Sequence, residues 1–337
     1  MLRKQRSKKK LQNKKSIKRG NTRKEVRREK EEGKRGREWL DGVRLRHVAV
    51  LIAAFAAGFI GIFTRLIGEG TPSLSIAFFR SFIGFIFLLA LVPVIDHNFF
   101  KFSFKDVKSY IALGFFFALV TGLYISAFAY APISNVVLID AAYVIFTTLL
   151  AHQFLKERIT RKEVEAMILG FAGLVIINPL QPKYAVGSLL ALAAGLAFAC
   201  YLTYLRYQEK NHTVGTSLWI LLFSSIFLLP FVLMEGVGNI QQSWFWIILL
   251  GVLCTGLTTV LLTYGLAKVK AEDASILLMI GGPLTAIILS VLLLGESLEP
   301  RVLIGGACLL LAGVLIEYRR KRKRIRQGKR LHPVHHK

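Results

Sequence analysis

The apolar residues of this chain fall in long unbroken runs, unlike the alternating or half-polar patterns of a water-exposed domain. Ten such runs can be marked: residues 47–67, 73–94, 109–130, 133–155, 164–180, 186–206, 214–234, 244–266, 274–294 and 301–318. A helix needs about 20 apolar residues to cross the hydrocarbon core of a bilayer, and most of these runs have no polar face. Because the backbone must satisfy its own hydrogen bonds in lipid, the pattern predicts an all-α membrane protein of ten transmembrane helices. Some links are very short. Only Ala131 and Pro132 separate the third and fourth runs, which makes those helices antiparallel neighbours. The fifth and tenth runs are the shortest.

Composition agrees with this reading: 54% of residues are apolar, above the roughly 45–50% of ordinary globular chains. The net charge of +25 changes the picture only at the ends. Residues 1–41 hold eighteen Lys and Arg against six acids, and residues 319–337 hold ten with no acid. The rest is nearly neutral. With no zinc-ligand or aromatic-interleaved motif beside the charge, no nucleic-acid partner is expected. The tails read as disordered topogenic segments that lie on anionic lipid.

The positive-inside rule then sets an orientation. A cytoplasmic N-terminus puts Lys101, Lys105, Lys108, Lys156, Arg158, Arg161, Lys162, Arg206, Lys210, Lys268 and Lys270 inside, and only Arg65, Lys183 and Arg301 outside. An even number of spans returns the C-terminus to the cytoplasm. The expected location is a multi-pass protein of the cell membrane with both termini cytoplasmic.

The chain also repeats itself. The fourth run, Asp140 to Glu157, and the ninth, Met279 to Glu296, both end an apolar helix with a glutamate, and each is followed by one further span. Helices one to five thus match helices six to ten, and an odd number per repeat forces the two halves to insert with opposite orientation. The expected layout is a basic tail over 1–45, five-helix repeats over 46–182 and 183–318, and a second basic tail over 319–337.

Several of these features together are similar to an EamA-type member of the drug/metabolite transporter superfamily, over roughly residues 45–318. They are Pro283 and the Gly295-Glu296 ending of the ninth span, the Glu157-Arg158-Ile159-Thr160 ending of the fourth, Arg80 in the second, and the glycines of the fifth and tenth (Gly170, Gly173, Gly305, Gly306, Gly313). Val144 stands where Pro283 has its match. The resemblance implies a secondary carrier working by alternating access on a small organic metabolite, such as an amino acid or amine. A nucleotide-sugar or lipid-linked carrier is the alternative within transport. Outside it stand a polytopic membrane enzyme of lipid metabolism and a membrane-tethered interaction protein.

Candidate chemistry is sparse, and this makes it informative. A charge at membrane depth costs about 2.5–3.5 kcal/mol on insertion scales, so each is a functional candidate. Arg80 and Asp140 lie at similar depth on helices running the same way, and are expected to face one cavity, as an ion pair or across a substrate. Asp140 is also the candidate proton-coupling group. Asp140, Tyr143 and Thr147 share a helix face at 3–4 spacing. Tyr124, Tyr201 and Thr258 complete the candidate substrate-binding set, although a buried hydroxyl equally often bonds its own helix backbone. Pro283 is the candidate hinge. Glu157 and Glu296 are expected to bond neighbouring helix ends or nearby cations rather than substrate. Cys200, Cys254 and Cys308 sit inside apolar runs and read as small hydrophobes. No HExxH, paired-histidine spacing or nucleotide-cradling loop is present, so no catalytic residue, metal or cofactor is expected and transport is gradient-driven.

Overall fold

The computed structural model describes residues 45–68, 70–95, 107–156, 159–177, 182–207, 214–266 and 271–331. The expectations for the N-terminal tail, for Glu157 and Arg158, and for the loop residues Lys101, Lys105, Lys210, Lys268 and Lys270 lie outside them. The described residues form ten helices. In the first half these are α1 (Leu45–Ile67), α2 (Ser73–Ile95), α3 (Val107–Tyr130), α4 (Ile133–Leu155) and α5 (Arg161–Ile177). In the second they are α6 (Ala185–Tyr207), α7 (Val214–Glu235), α8 (Ile240–Gly251, Val252–Leu257 and Thr258–Leu266 in succession), α9 (Ala271–Leu294) and α10 (Pro300–Leu331). Eight are long and apolar enough to cross a membrane. The exceptions are α5 and α10, whose apolar part is only Pro300–Ile316, as their short runs foretold.

Residues 49–337 form one compact unit, and its contacts repeat under the exchange of each helix with the one five places on. Three pairs map onto themselves: α2 with α7, α4 with α9, and α5 with α10. The packing of α3 on α6 is mirrored by α8 on α1, where Phe63 meets Trp246 and the Ser243 hydroxyl donates to the Ile67 carbonyl. Likewise α3 on α7 is matched by α8 on α2. The repeat read in the sequence is therefore a pseudo-twofold of the structure.

Its inversion is visible at one membrane face. There the end of α1 meets the start of α8 through Ser243, and the α7–α8 turn meets the α1–α2 turn through Asn239 N–H on Gly70 O. The start of α6 lies against Ala131 between α3 and α4. So α1 ends where α6 begins. Glu296, at the end of α9, marks this as the Glu296 face.

Two elements differ from expectation. α4 is interrupted: Ala141 and Ala142 form a turn with i→i+3 bonds, Ala142 N–H to Ile139 O and Ile145 N–H to Ala142 O. The break falls between Asp140 and Tyr143, so their shared stripe is locally overwound towards three residues per turn. And α10 does not stop at 318. It runs on as helix to Leu331, because Lys and Arg are good helix formers and suit the negative end of the helix dipole.

Candidate functional site

Arg80 is buried on α2 with 7% of its surface exposed, and its Nε donates to Thr255 Oγ1 on α8 at 2.9 Å. Thr255 can accept there because α8 opens into a π-helical turn at Val252–Leu257; its hydroxyl donates back five residues, to Leu250 O. Such single π turns concentrate at functional sites. Among the described residues Arg80 has no carboxylate partner. A buried guanidinium held by one neutral hydroxyl is far from compensated, so it favours any anion that reaches it.

Asp140 stands at the break in α4, half-buried, and its carboxylate makes no hydrogen bond or ion pair among the described residues. A Cβ on Gly195 of α6 would come within 2.8 Å of the Asp140 carbonyl, so the broken backbone is pressed against α6. The two charges are not directly paired. Tyr124 of α3 lies in electrostatic range of both, its ring edge-on to Phe128 at 4.8 Å. Arg80, Tyr124, Asp140 and Thr255 thus bring α2, α3, α4 and α8 to one locus.

Tyr143 and Tyr201 join a neighbouring aromatic wall. Tyr143 packs edge-on against Phe198 at 4.9 Å, Phe198 stacks on Tyr201 at 6.0 Å, and Tyr201 meets Phe117 at 5.8 Å. Thr147 and Thr258 bond their own helices instead, to Tyr143 O at 2.7 Å and Leu253 O at 3.0 Å. Their oxygens retain only acceptor capacity for a ligand. Pro283 belongs to neither cluster; beside it the Gly282 carbonyl and Thr285 face Gly58 of α1. Cys254 is buried next to Thr255, and all three cysteines are free thiols.

Sequence reasoning did not single out Phe117 and Phe198, whose roles come from partners on other helices. Nor did it single out Thr255, since a π turn leaves no composition signal. Glu296 does bond a helix end, as expected. It accepts from Ile133 N–H at 2.8 Å, and from the N–H and hydroxyl of Ser134 at 3.4 Å, at the start of α4. A cavity of about 610 Å³ opens at this same face.

Ten helices in two inverted repeats, with helices broken or π-bulged around lone charges at depth, define a membrane transporter. The comparisons with known proteins say which kind. Residues 45–178 and 185–318 each match the EamA-like transporter family. An uncharacterized transporter of Archaeoglobus fulgidus is 32% identical over 83% of this chain and 99% of its own length. The uncharacterized transporter YwfM of Bacillus subtilis is 28% identical over 79% of this chain and 91% of its own. An S-adenosylmethionine uptake transporter of Rickettsia bellii is 28% identical over 53% of this chain and 60% of its own. A crystal structure at 16% identity superposes with a TM-score of 0.59, covering 83% of this chain and 98% of the other, which shows the fold. The chain belongs to the EamA-like transporter family of the drug/metabolite transporter superfamily; it is a membrane transporter and not an enzyme.

Proposed function

We propose that the protein is a secondary carrier of small organic metabolites bearing a cationic or zwitterionic group, with the substrate bound between Asp140, Tyr124 and Arg80. The observation that carries this is the Asp140 carboxylate, half-buried, without a partner among the described residues, and set at a break in α4, with Tyr124 in electrostatic range of both it and the buried Arg80. A substrate ammonium or sulfonium suits Asp140 and a substrate carboxylate suits Arg80. Tyr143, Tyr201 and Phe198 supply aromatic faces for its body. The name of the rickettsial relatives, S-adenosylmethionine uptake transporters, supports a substrate of that class. Thr147 and Thr258 line the route as acceptors, and Pro283 is the hinge of α9. The two repeats rock about the midplane, and Asp140 carries the coupling proton when no substrate cation occupies it.

The membrane is the cell membrane and both termini are cytoplasmic, so the Glu296 face is external. Basic residues support this: Lys156, Arg161 and Lys162 share the opposite face with the basic end of α10. That end and the N-terminal tail rest on anionic lipid.

The test is uptake of a mixed metabolite pool into proteoliposomes under an imposed pH gradient, read by mass spectrometry. Gradient-driven accumulation of an amine or zwitterion, abolished in Asp140→Asn, is expected. Accumulation unchanged in that variant would make Asp140 structural and remove the proposed coupling.

A further inference from the structure

The cavity at the Glu296 face lies apart from the residues assigned above, and its chemistry is unlike theirs. It is bounded by Arg65 at the end of α1, Tyr130 and Asn135 about the α3–α4 turn, Tyr184 ahead of α6, and Glu296 and Glu299 between α9 and α10. Its volume of about 610 Å³ is within the usual range for small-molecule sites, about 300–1,000 Å³.

Two of its charged groups are already committed. Glu296 is held by the first turn of α4, through Ile133 and Ser134, and Glu299 is paired with Arg301. Arg65 is different. One Nη donates to the Ala131 carbonyl at 2.9 Å, and the guanidinium has no acid partner among the described residues. Asn135 is more telling. Its residue is only 7% exposed, it lines the cavity, and its amide makes no hydrogen bond among the described residues. The amide opens to the cavity rather than being sealed in the protein, so its donors are available to a ligand.

We infer that this cavity is a separate binding station for the carboxylate of the transported molecule, held by the Arg65 guanidinium and the Asn135 amide. The inference rests on the transport reading for its ligand but uses none of that reading's residues. A planar guanidinium donates to a carboxylate through two parallel bonds, and an amide NH2 adds a third donor. Tyr130 and Tyr184 offer ring faces to the ligand's body, and Lys183, 5.2 Å above the Tyr184 ring, adds positive charge at the mouth. Glu296 and Glu299 on the same wall exclude a dianion such as phosphate, so the station takes monocarboxylates, zwitterions included.

The experiment is saturation-transfer NMR on the full chain in nanodiscs, with phenylacetate, L-phenylalanine, phenethylamine and inorganic phosphate as probes. The two carboxylates are expected to bind, phenethylamine to bind at least about tenfold more weakly, and phosphate not to compete. Arg65→Gln and Asn135→Leu should each weaken carboxylate binding about tenfold or more, the worth of one charge-assisted bond. Every sample, the parent included, carries Asp140→Asn, which removes the cation site of the transport reading so that it does not enter the comparison. Variants are scored only after melting curves match the parent. Equal binding of the acids by parent and both variants would overturn the assignment, as would equal binding of the amine or no binding of either carboxylate. Failure of the uptake assay with binding intact would remove the transport reading and leave this site standing.

Discussion

Gly295 and Lys156 occupy matching places in the two repeats, and each turns the chain through the left-handed region, at φ 64° and 54°. At Gly295 the turn closes α9 in an αL motif, with Gly295 N–H on Val291 O, and Glu296 N–H reaches back to Ser290 O. That turn delivers Glu296 to the first N–H groups of α4. Glycine takes this conformation freely, whereas a residue with a Cβ loses about 1–2 kcal/mol. A Cβ at Gly295 would touch nothing within 4 Å, so the backbone alone decides the effect. Gly295→Ala should therefore destabilise by about 1 kcal/mol, and Lys156→Gly should stabilise by up to a similar amount. Thermal melting of the two purified variants against the parent checks both signs. A lower melting temperature for Lys156→Gly would contradict this account of the turn.

Between elements, the contact of α5 with α10 shows how closely the two repeats approach. A Cβ on Gly173 would lie 2.6 Å from Gly305 O, and one on Gly305 the same distance from Gly173 O. The backbones touch, as small residues permit in membrane packing, where lipid offers no hydrophobic drive between helices. Gly173→Leu should push α5 and α10 apart and cost about 1–3 kcal/mol. Ala172→Leu, next to it but exposed on the outer surface of α5, should be tolerated. Melting and monodispersity by size-exclusion chromatography separate the two. The same scale bears on the proposed substrate site. The turn in α4 and the π turn in α8 each free backbone geometry from helical register, and Asp140 and Thr255 sit at those irregularities.

For the whole molecule, inversion of the repeats means that one face gathers the end of α1 and the start of α6, with Arg65, Lys183, Ser297 and Arg301 at or near it. The opposite face carries Lys156, Arg161, Lys162 and the basic extension of α10. The proposed orientation is checked by labelling. In a background with Cys200, Cys254 and Cys308 replaced, Ser297→Cys should react with a membrane-impermeant maleimide on intact cells, and Lys162→Cys only after lysis. The reverse pattern would invert the topology and place the carboxylate station on the cytoplasmic side.

The number of helices, their limits to within a few residues except at the end of α10, and the two repeats were legible in the sequence. Each follows from one-dimensional rules: run length against bilayer thickness, charge excluded from lipid, and an odd helix count per repeat. The family followed from the same pattern and the paired helix-end glutamates. Which side chains meet was not legible, because it depends on rotation and approach of helices far apart in the chain. The partner of Arg80 proved to be Thr255 rather than Asp140, and the contacts of Tyr143 and Tyr201 proved to be Phe198 and Phe117. Thr147 and Thr258 turned their hydroxyls to their own backbones. Only the packed structure sets Asn135 at the wall of a cavity with no partner among the described residues, since a cavity is made by every helix around it and not by its own.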